Sequence, residues 1–314
     1  MDTLTHAIVG VAAASLSGQS FLLENPIYLA SLLGSQAPDF DIIALLRGKF
    51  AFIRQHRSFS HSLPGLITWA ALISGTLYFF MPNEAPLPLF GWTLLAALSH
   101  VVLDYFNTHG AAVLWPFCQE RKSLHLLNVF DPVLLLLLLS LYLVEIPPLT
   151  FGLLTFASLS IYITLRFYLR YNAKKQLIEH FKDQQLLQLV IMPSLKKVFV
   201  WDFIVETVDH HYVGQIKAFG DKLEFRANLP RQEKLSEITE KVQSTRLGNF
   251  FNTFTPFAYY EEERTMNTLQ INIYDLRYYL NQQFIHRATI VFNDFDSPTA
   301  SYLYSEGKVI KVPC

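Results

Sequence analysis

Residues 151–169 read "FGLLTFASLSIYITLRFYL", a run with a single charge. It matches the ~20 residues that cross a bilayer's hydrocarbon core. Lipid offers no partner to a backbone N–H or C=O, so such a segment has to be helical. Apolar stretches at 4–23, 27–46, 63–81, 89–106 and 130–145 precede it, and 149–169 closes the series. The second is broken by Pro38, Asp39 and Asp41 and reads as a short or re-entrant element, tolerable where protein or water covers its backbone. The chain is 51% hydrophobic and 16% charged with a mean hydropathy of +0.26, which suits a membrane protein. Its net charge of −1 supplies no field for nucleic acid, so no direct nucleic-acid partner is expected. Cys118 and Cys314 lie far apart and outside any CxxC, which excludes a disulfide framework or a zinc ribbon. No Lys or Arg precedes Arg47, so a cleaved signal peptide is not expected.

Character changes near residue 171. The stretches "KVFVWDFIVET", "YVGQIKAFG", "KLEFRANL", "TLQINIYDL", "ATIVFND" and "YLYSEGKVIKV" are rich in β-branched and aromatic residues and predict strands. "RQEKLSEITEKVQS" predicts one amphipathic helix. The expected architecture is an all-α polytopic membrane domain of about six helices over 1–170, followed by a small soluble β-rich α+β domain over 171–314.

Every Lys and Arg of the first 175 residues falls in three clusters: Arg47/Lys49/Arg54/Arg57, Arg121/Lys122 and Arg166/Arg170/Lys174/Lys175. The alternate connections carry Glu24, Glu84 and Glu145 and no basic residue. The positive-inside rule then predicts a multi-pass protein of the bacterial inner membrane, with both termini and the C-terminal domain in the cytoplasm.

That topology gathers the polar residues of the membrane half on one side. His6, Asp39, Asp41, His56, His61, His100, Asp104, His109 and Asp131 all fall toward the inner face. His100 and Asp104 are four apart, so on a helix they share a face and can reach one cation. Ionisable groups inside a span are costly and default to function. Asp39 and Asp41 in "APDFD" can bridge metals or act as a general base. In "HRSFSHS", Ser62 predicts a helix cap, and Arg57 has the fork that matches a phosphate. Asp131 before Pro132 serves equally as a cap or as a ligand. Histidine with carboxylate and no thiolate suits a divalent metal of a catalytic kind: zinc first, manganese or iron otherwise. His125, His180, His210, His211 and His286 read as solvated, and Trp115–Phe117 as an interfacial anchor.

The set "MDTLTHAIVG", "APDFD", "HRSFSHS", "HVVLDYFNTHG", "LWPF" and "DPVL", in this order over residues 1–170, resembles the bacterial inner-membrane, metal-dependent hydrolases described as LexA-binding hydrolases. That family is distantly similar to the helical zinc-dependent phospholipases C. The resemblance implies a phospholipase C-like helical metal site. It carries His6, Asp39, His100, Asp104 and His109 over as ligands, with His61, or else His56, in the intermediate histidine position and Asp131 in place of a missing later motif. It says nothing of residues 171–314.

Together these readings predict a membrane-bound hydrolase that cuts a phosphoester or phospholipid-like substrate with a metal-activated water. Asp39, Asp41 and Arg57 are its catalytic candidates, membrane lipid is its setting, and the C-terminal domain is free to meet a protein partner. An ion or metal transporter and a non-catalytic membrane adaptor with a structural metal are the alternatives.

Overall fold

The computed structural model describes all residues except 23, 83–84, 221, 233–234, 266–267, 294–296 and 306. Glu84 of an acidic connection, Glu233 and Lys234 of the predicted amphipathic helix, and Asp294 and Glu306 of two predicted strands lie outside the described residues. The chain divides into two compact units, residues 1–47 with 55–171, and residues 48–54 with 172–314.

The first unit is helical. Its elements are α1 (Thr3–Ser15), α2 (Pro26–Gln36), a 3-10 segment (Ala37–Arg47), α4 (Leu63–Phe80), α5 (Pro86–Phe106), α6 (Pro132–Ser140) and the first two thirds of α7 (Pro148–His180). Proline at the first or second position of α2, α4, α5 and α6 fits a turn whose N–H groups have no helical partner. Asp2, Asn25, Ser62 and Asp131 cap α1, α2, α4 and α6 with a side-chain oxygen.

Four described helices are long and apolar enough to cross a membrane: Pro26–Arg47, Leu63–Phe80, Pro86–Phe106 and Pro148–His180. About six were expected; the two other apolar helices among the described residues are shorter. Thr3–Ser15 rises only about 20 Å and Pro132–Leu143 about 18 Å at 1.5 Å per residue, short of a ~30 Å hydrocarbon core.

Small residues set the helix spacing, as expected where lipid supplies no hydrophobic drive between helices. A methyl group on Gly34 of α2 would stand 2.4 Å from the Thr93 carbonyl oxygen of α5, so these backbones touch and nothing larger fits. An apolar cluster of Ile8, Val9, Leu103, Leu127, Leu134 and Leu138 joins α1, α5 and α6.

The second unit is β-rich. Strands β1 (Leu186–Pro193), β2 (Val200–Thr207), β3 (His210–Lys217) and β4 (Leu223–Pro230) form an antiparallel meander. Strands β5 (Ala258–Arg264), β6 (Thr268–Asp275), β9 (Arg287–Asn293), β10 (Pro298–Ser305) and β11 (Lys308–Val312) form a second antiparallel sheet in the order β11-β10-β9-β6-β5, and a two-residue pair, β7 (Tyr279–Leu280) with β8 (Gln283–Phe284), stands apart. "YLYSEGKVIKV", read as one strand, is a hairpin: Gly307 takes a φ of +73° between β10 and β11. Alternation places Leu269, Ile271 and Ile273 of β6 beside Ala288, Ile290 and Phe292 of β9 in one core. Helices α8 (Leu235–Gln243) and α9 (Arg246–Phe254) cover that core with Val242, Leu247 and Phe251. The segment 48–54, most of α3 (Lys49–Gln55), belongs to this unit, and its Phe50 and Ile53 pack against the same core.

Candidate metal centre

Three short pieces of chain meet at one end of the first unit. Helix α5 presents His100 and Asp104 on one face, both fully buried. The 3-10 segment after α2 brings Asp39 there, following Pro38. A single 3-10 turn, Phe59–His61, ends where Ser62 caps α4 and leaves His61 fully buried.

Asp39, His61, His100 and Asp104 each offer one ligand atom, and these atoms lie within 4.8 Å of one another. His61 Nε2 stands 3.5 Å from Asp39 Oδ1 and 3.4 Å from Asp104 Oδ2. His100 Nε2 stands 3.7 Å from Asp39 Oδ1 and 3.8 Å from Asp104 Oδ2. These gaps are long for hydrogen bonds. They fit donors around one ion, since two atoms each ~2.1 Å from a tetrahedral cation are about 3.4 Å apart.

The far side of each ring decides the proton. His100 Nδ1 lies 2.6 Å from the Ser35 carbonyl oxygen, which only accepts, so Nδ1 carries the hydrogen and Nε2 keeps its lone pair. Ser60 Oγ donates to Asp41 Oδ2 at 2.7 Å and faces His61 Nδ1 at 3.0 Å. Its hydroxyl hydrogen is thereby used, so Nδ1 of His61 is the donor and Nε2 is again bare. His61 Nε2, His100 Nε2 and Asp104 Oδ2 are buried and make no hydrogen bond. Arg57 Nη2 stands 3.1 Å from that Oδ2, outside hydrogen-bond geometry. Acceptors converging with no donor among them are costly. Burial opposes a charge on His61, but Asp104 and Asp39 outweigh it and raise its pKa. The pocket thus demands positive charge, and the residues fit a divalent cation.

A second group, Asp39, Asp41 and His56, shares Asp39 with the first. Both oxygens of Asp41 are engaged: Oδ1 with His56 Nδ1 at 2.8 Å, Oδ2 with Ser60 Oγ and with the Arg57 N–H at 3.1 Å. Arg57 holds a φ of +62°, sparsely populated for a side chain of its size, and its buried guanidinium turns inward. Nη1 donates to Asn107 Oδ1 at 2.9 Å and to the Gly110 carbonyl at 3.2 Å. Its contacts with Asp104 and Asn107 make it a charge-balancing group in this geometry, beside the phosphate-clamp role that its fork suggested.

His6 stacks on His100 with ring centroids 3.6 Å apart, and its Nε2 lies 3.5 Å from Asp104 Oδ1. The α-amino group of Met1 also meets Asp104 and His6. His6 therefore backs the site through the other oxygen of Asp104. His109 enters neither donor group; its N–H closes a turn on Asn107 Oδ1 at 2.9 Å. Asp131 enters neither group as well. One oxygen caps Leu134 N at 3.1 Å and the other accepts from Tyr162 at 2.7 Å, so its cap reading is the one its contacts express.

Asn107 and Ser60 were not among the expected site residues. Asn107, fully buried, donates to Asp104 Oδ1 at 2.8 Å while its own oxygen collects Arg57, His109 and Gly110. The pattern Asn-x-x-Gly directly after the helix that carries His100 and Asp104 was the available signal, since an asparagine there closes an Asx turn.

No solved structure matches this chain. The "Uncharacterized protein YfhP" of Bacillus subtilis (strain 168) is 30% identical over 289 residues, covering 88% of this chain and 87% of that protein. Residues 1–173, which contain every residue of the donor groups, match the YdjM inner membrane protein family. The chain belongs to the YdjM inner membrane protein family.

Proposed function

We propose that the protein is a membrane-bound, metal-dependent hydrolase that cuts a phosphoester, with a phospholipid-like molecule at the cytoplasmic face as its substrate. One observation supports this most: bare acceptors from Asp39, His61, His100 and Asp104 converge in a buried pocket, and Asp39 alone of the four is partly exposed, at 29% of its side chain. A site of this kind holds an ion and still admits a small reactant. The donor set favours zinc, with manganese or iron as substitutes.

When bound, the cation supplies a water of lowered pKa and polarises the substrate oxygen. The chain's own residues do the rest. With His61, His100 and Asp104 holding the ion and a water in its fourth position, Asp39, which meets solvent, would be the group that takes the water's proton. His56, 27% exposed and held by Asp41, can return a proton to the leaving oxygen. Arg57 and Asn107 fix Asp104 so that its Oδ2 stays aimed at the pocket. The Ser35 carbonyl and Ser60 hold the two rings in the tautomer that leaves Nε2 bare.

The test is elemental analysis of detergent-purified protein, then hydrolysis of a generic phosphodiester and of phospholipid vesicles, with Asp104→Ala as control. About one divalent ion per chain and at least a hundredfold loss of activity in the variant are expected. Equal activity in both proteins removes the hydrolase reading.

A further inference from the structure

A cavity of about 450 Å³ lies within the helical unit, beside the metal centre. That is in the range of pockets that hold small molecules, roughly 300–1,000 Å³. Its wall is mostly hydrocarbon: Leu63 and Leu66 from the start of α4, Leu98, Val101 and Tyr105 from the end of α5, and Val113 from the loop that follows. The loop is pinned as a roof. Ala111 and Lys122 exchange backbone hydrogen bonds at 3.2 Å, the Leu63 N–H donates to the Val113 carbonyl at 3.1 Å, and the Leu124 N–H donates to the Tyr105 carbonyl at 2.8 Å.

Four wall residues follow residues of the metal centre in the chain. Val101 comes directly after His100, Tyr105 directly after Asp104, and Leu63 two after His61. Ala111 comes directly after Gly110, whose carbonyl accepts from Arg57. Consecutive Cα atoms are about 3.8 Å apart, so the cavity and the metal centre share a wall.

Position and size select the occupant. Helix α4 begins and α5 ends at the cavity, and both are long and apolar enough to cross a membrane. The cavity therefore sits at one end of two spans, where the hydrocarbon chains of a bilayer meet their head groups. Val102 and Leu114, which also line it, are exposed and form its open side. A single turn of a partner helix, about 10 Å across and 5.4 Å long, would take up the whole volume at about 420 Å³; an alkyl chain is thinner and can thread it. The charged residues of the wall, Glu120 and Lys122, are exposed and opposite in sign, so they select no net charge.

We infer that this cavity takes one acyl chain of a phospholipid substrate, so that hydrocarbon is recognised on one side of the shared wall and the phosphoester on the other. The inference rests on the hydrolase reading above and gives it a substrate class: long-chain phosphoesters, in preference to short soluble ones.

The experiment uses the full-length protein in a sterol-based detergent, which has no alkyl chain to compete, and dioleoyl phosphatidylglycerol as the probe. Native mass spectrometry counts bound lipid. Alkylation of Cys118, which lines the cavity, locates it, with Cys314→Ser leaving Cys118 as the sole thiol. One lipid per chain and at least fivefold slower alkylation are expected, with no slowing by glycerol 3-phosphate or inorganic phosphate. Leu98→Trp, which fills the cavity, is expected to weaken lipid binding at least tenfold while zinc binding and hydrolysis of a soluble phosphodiester stay within twofold. If that variant does not fold, Leu114→Asp decides by the same count, since it brings a charge to the cavity from an exposed loop position. No lipid bound by the wild type, equal binding in the filled variant, or equal slowing by glycerol 3-phosphate overturns the inference and leaves the hydrolase reading standing. Lipid binding that Leu98→Trp removes, with no phosphoester cut by the wild type, overturns the hydrolase reading and leaves the acyl-chain site.

Discussion

Each unit buries a carboxylate completely, and they treat it in opposite ways. In the β-rich unit, Asp275 is saturated. It accepts from Thr255, from the Arg277 N–H, and from Arg277 Nε and Nη2 at 2.7–3.1 Å, while Nη2 also reaches the Phe254 carbonyl. Beside Asp275 the pKa of Arg277 is raised: burial works against its charge, and the carboxylate prevails. In the helical unit, Asp104 faces Arg57 as well, yet one oxygen is left aimed at two bare imidazole nitrogens. A buried charge that is fully paired is architecture. One that keeps a free lone pair beside others fits a cation.

The largest expected effect breaks the saturated side. Arg277→Ala leaves Asp275 charged with only Thr255 and the residue-277 N–H as donors, and about 3–5 kcal/mol of stability in the β-rich unit is lost; thermal unfolding followed by the β-sheet signal measures it. Next comes the unsaturated side. Asp104→Asn keeps the shape of the carboxylate, so the helical unit stays folded, but zinc affinity falls at least a hundredfold, or about 2.7 kcal/mol. Competition against a calibrated chelator reads this, and unchanged affinity would erase the contrast between the units.

Ser60→Ala sharpens the comparison one step further out. It frees the Nδ1 hydrogen of His61 from its partner, and a tenfold to hundredfold loss of metal affinity follows, the usual size for a partner that orients a ligand. The smallest effect is one of pH. Burial pushes the Asp202 carboxyl up to about 6, against the pull of Gln215 and Arg226. A carboxyl with a raised folded pKa keeps its proton longer in the native state than in the unfolded chain. Stability of the β-rich unit therefore falls as pH climbs from about 4 to about 6. In Asp202→Asn this slope is reduced, which denaturant titrations at pH 4 and pH 6 compare.

The legible part of the site was the part written within single elements. His100 and Asp104 lie one helical turn apart, and an ionisable pair in an apolar helix announces itself. Asp39 and His61 were visible as residue types in polar punctuation between apolar runs. What stayed hidden depended on partners far along the chain. Asp131 has its second oxygen on Tyr162, thirty-one residues on, and nothing local distinguishes that from a metal. The inward turn of Arg57 follows from Asn107, fifty residues away. The destination of α3 was illegible for the same reason: seven residues with Phe50 and Ile53 carry no sign of which core receives them. Helix lengths were less legible, because hydropathy reports composition, whereas α1 stops at Ser15, before the Ser–Gly–Gln–Ser turn residues.

Asp39 belongs to both donor groups and is the single member of the buried four with an outward face. The other three have no exposed surface, so Asp39 is the member of the group that solvent reaches. If the group holds a cation, Asp39→Glu is therefore expected to alter how fast the ion comes and goes before it alters how tightly it stays.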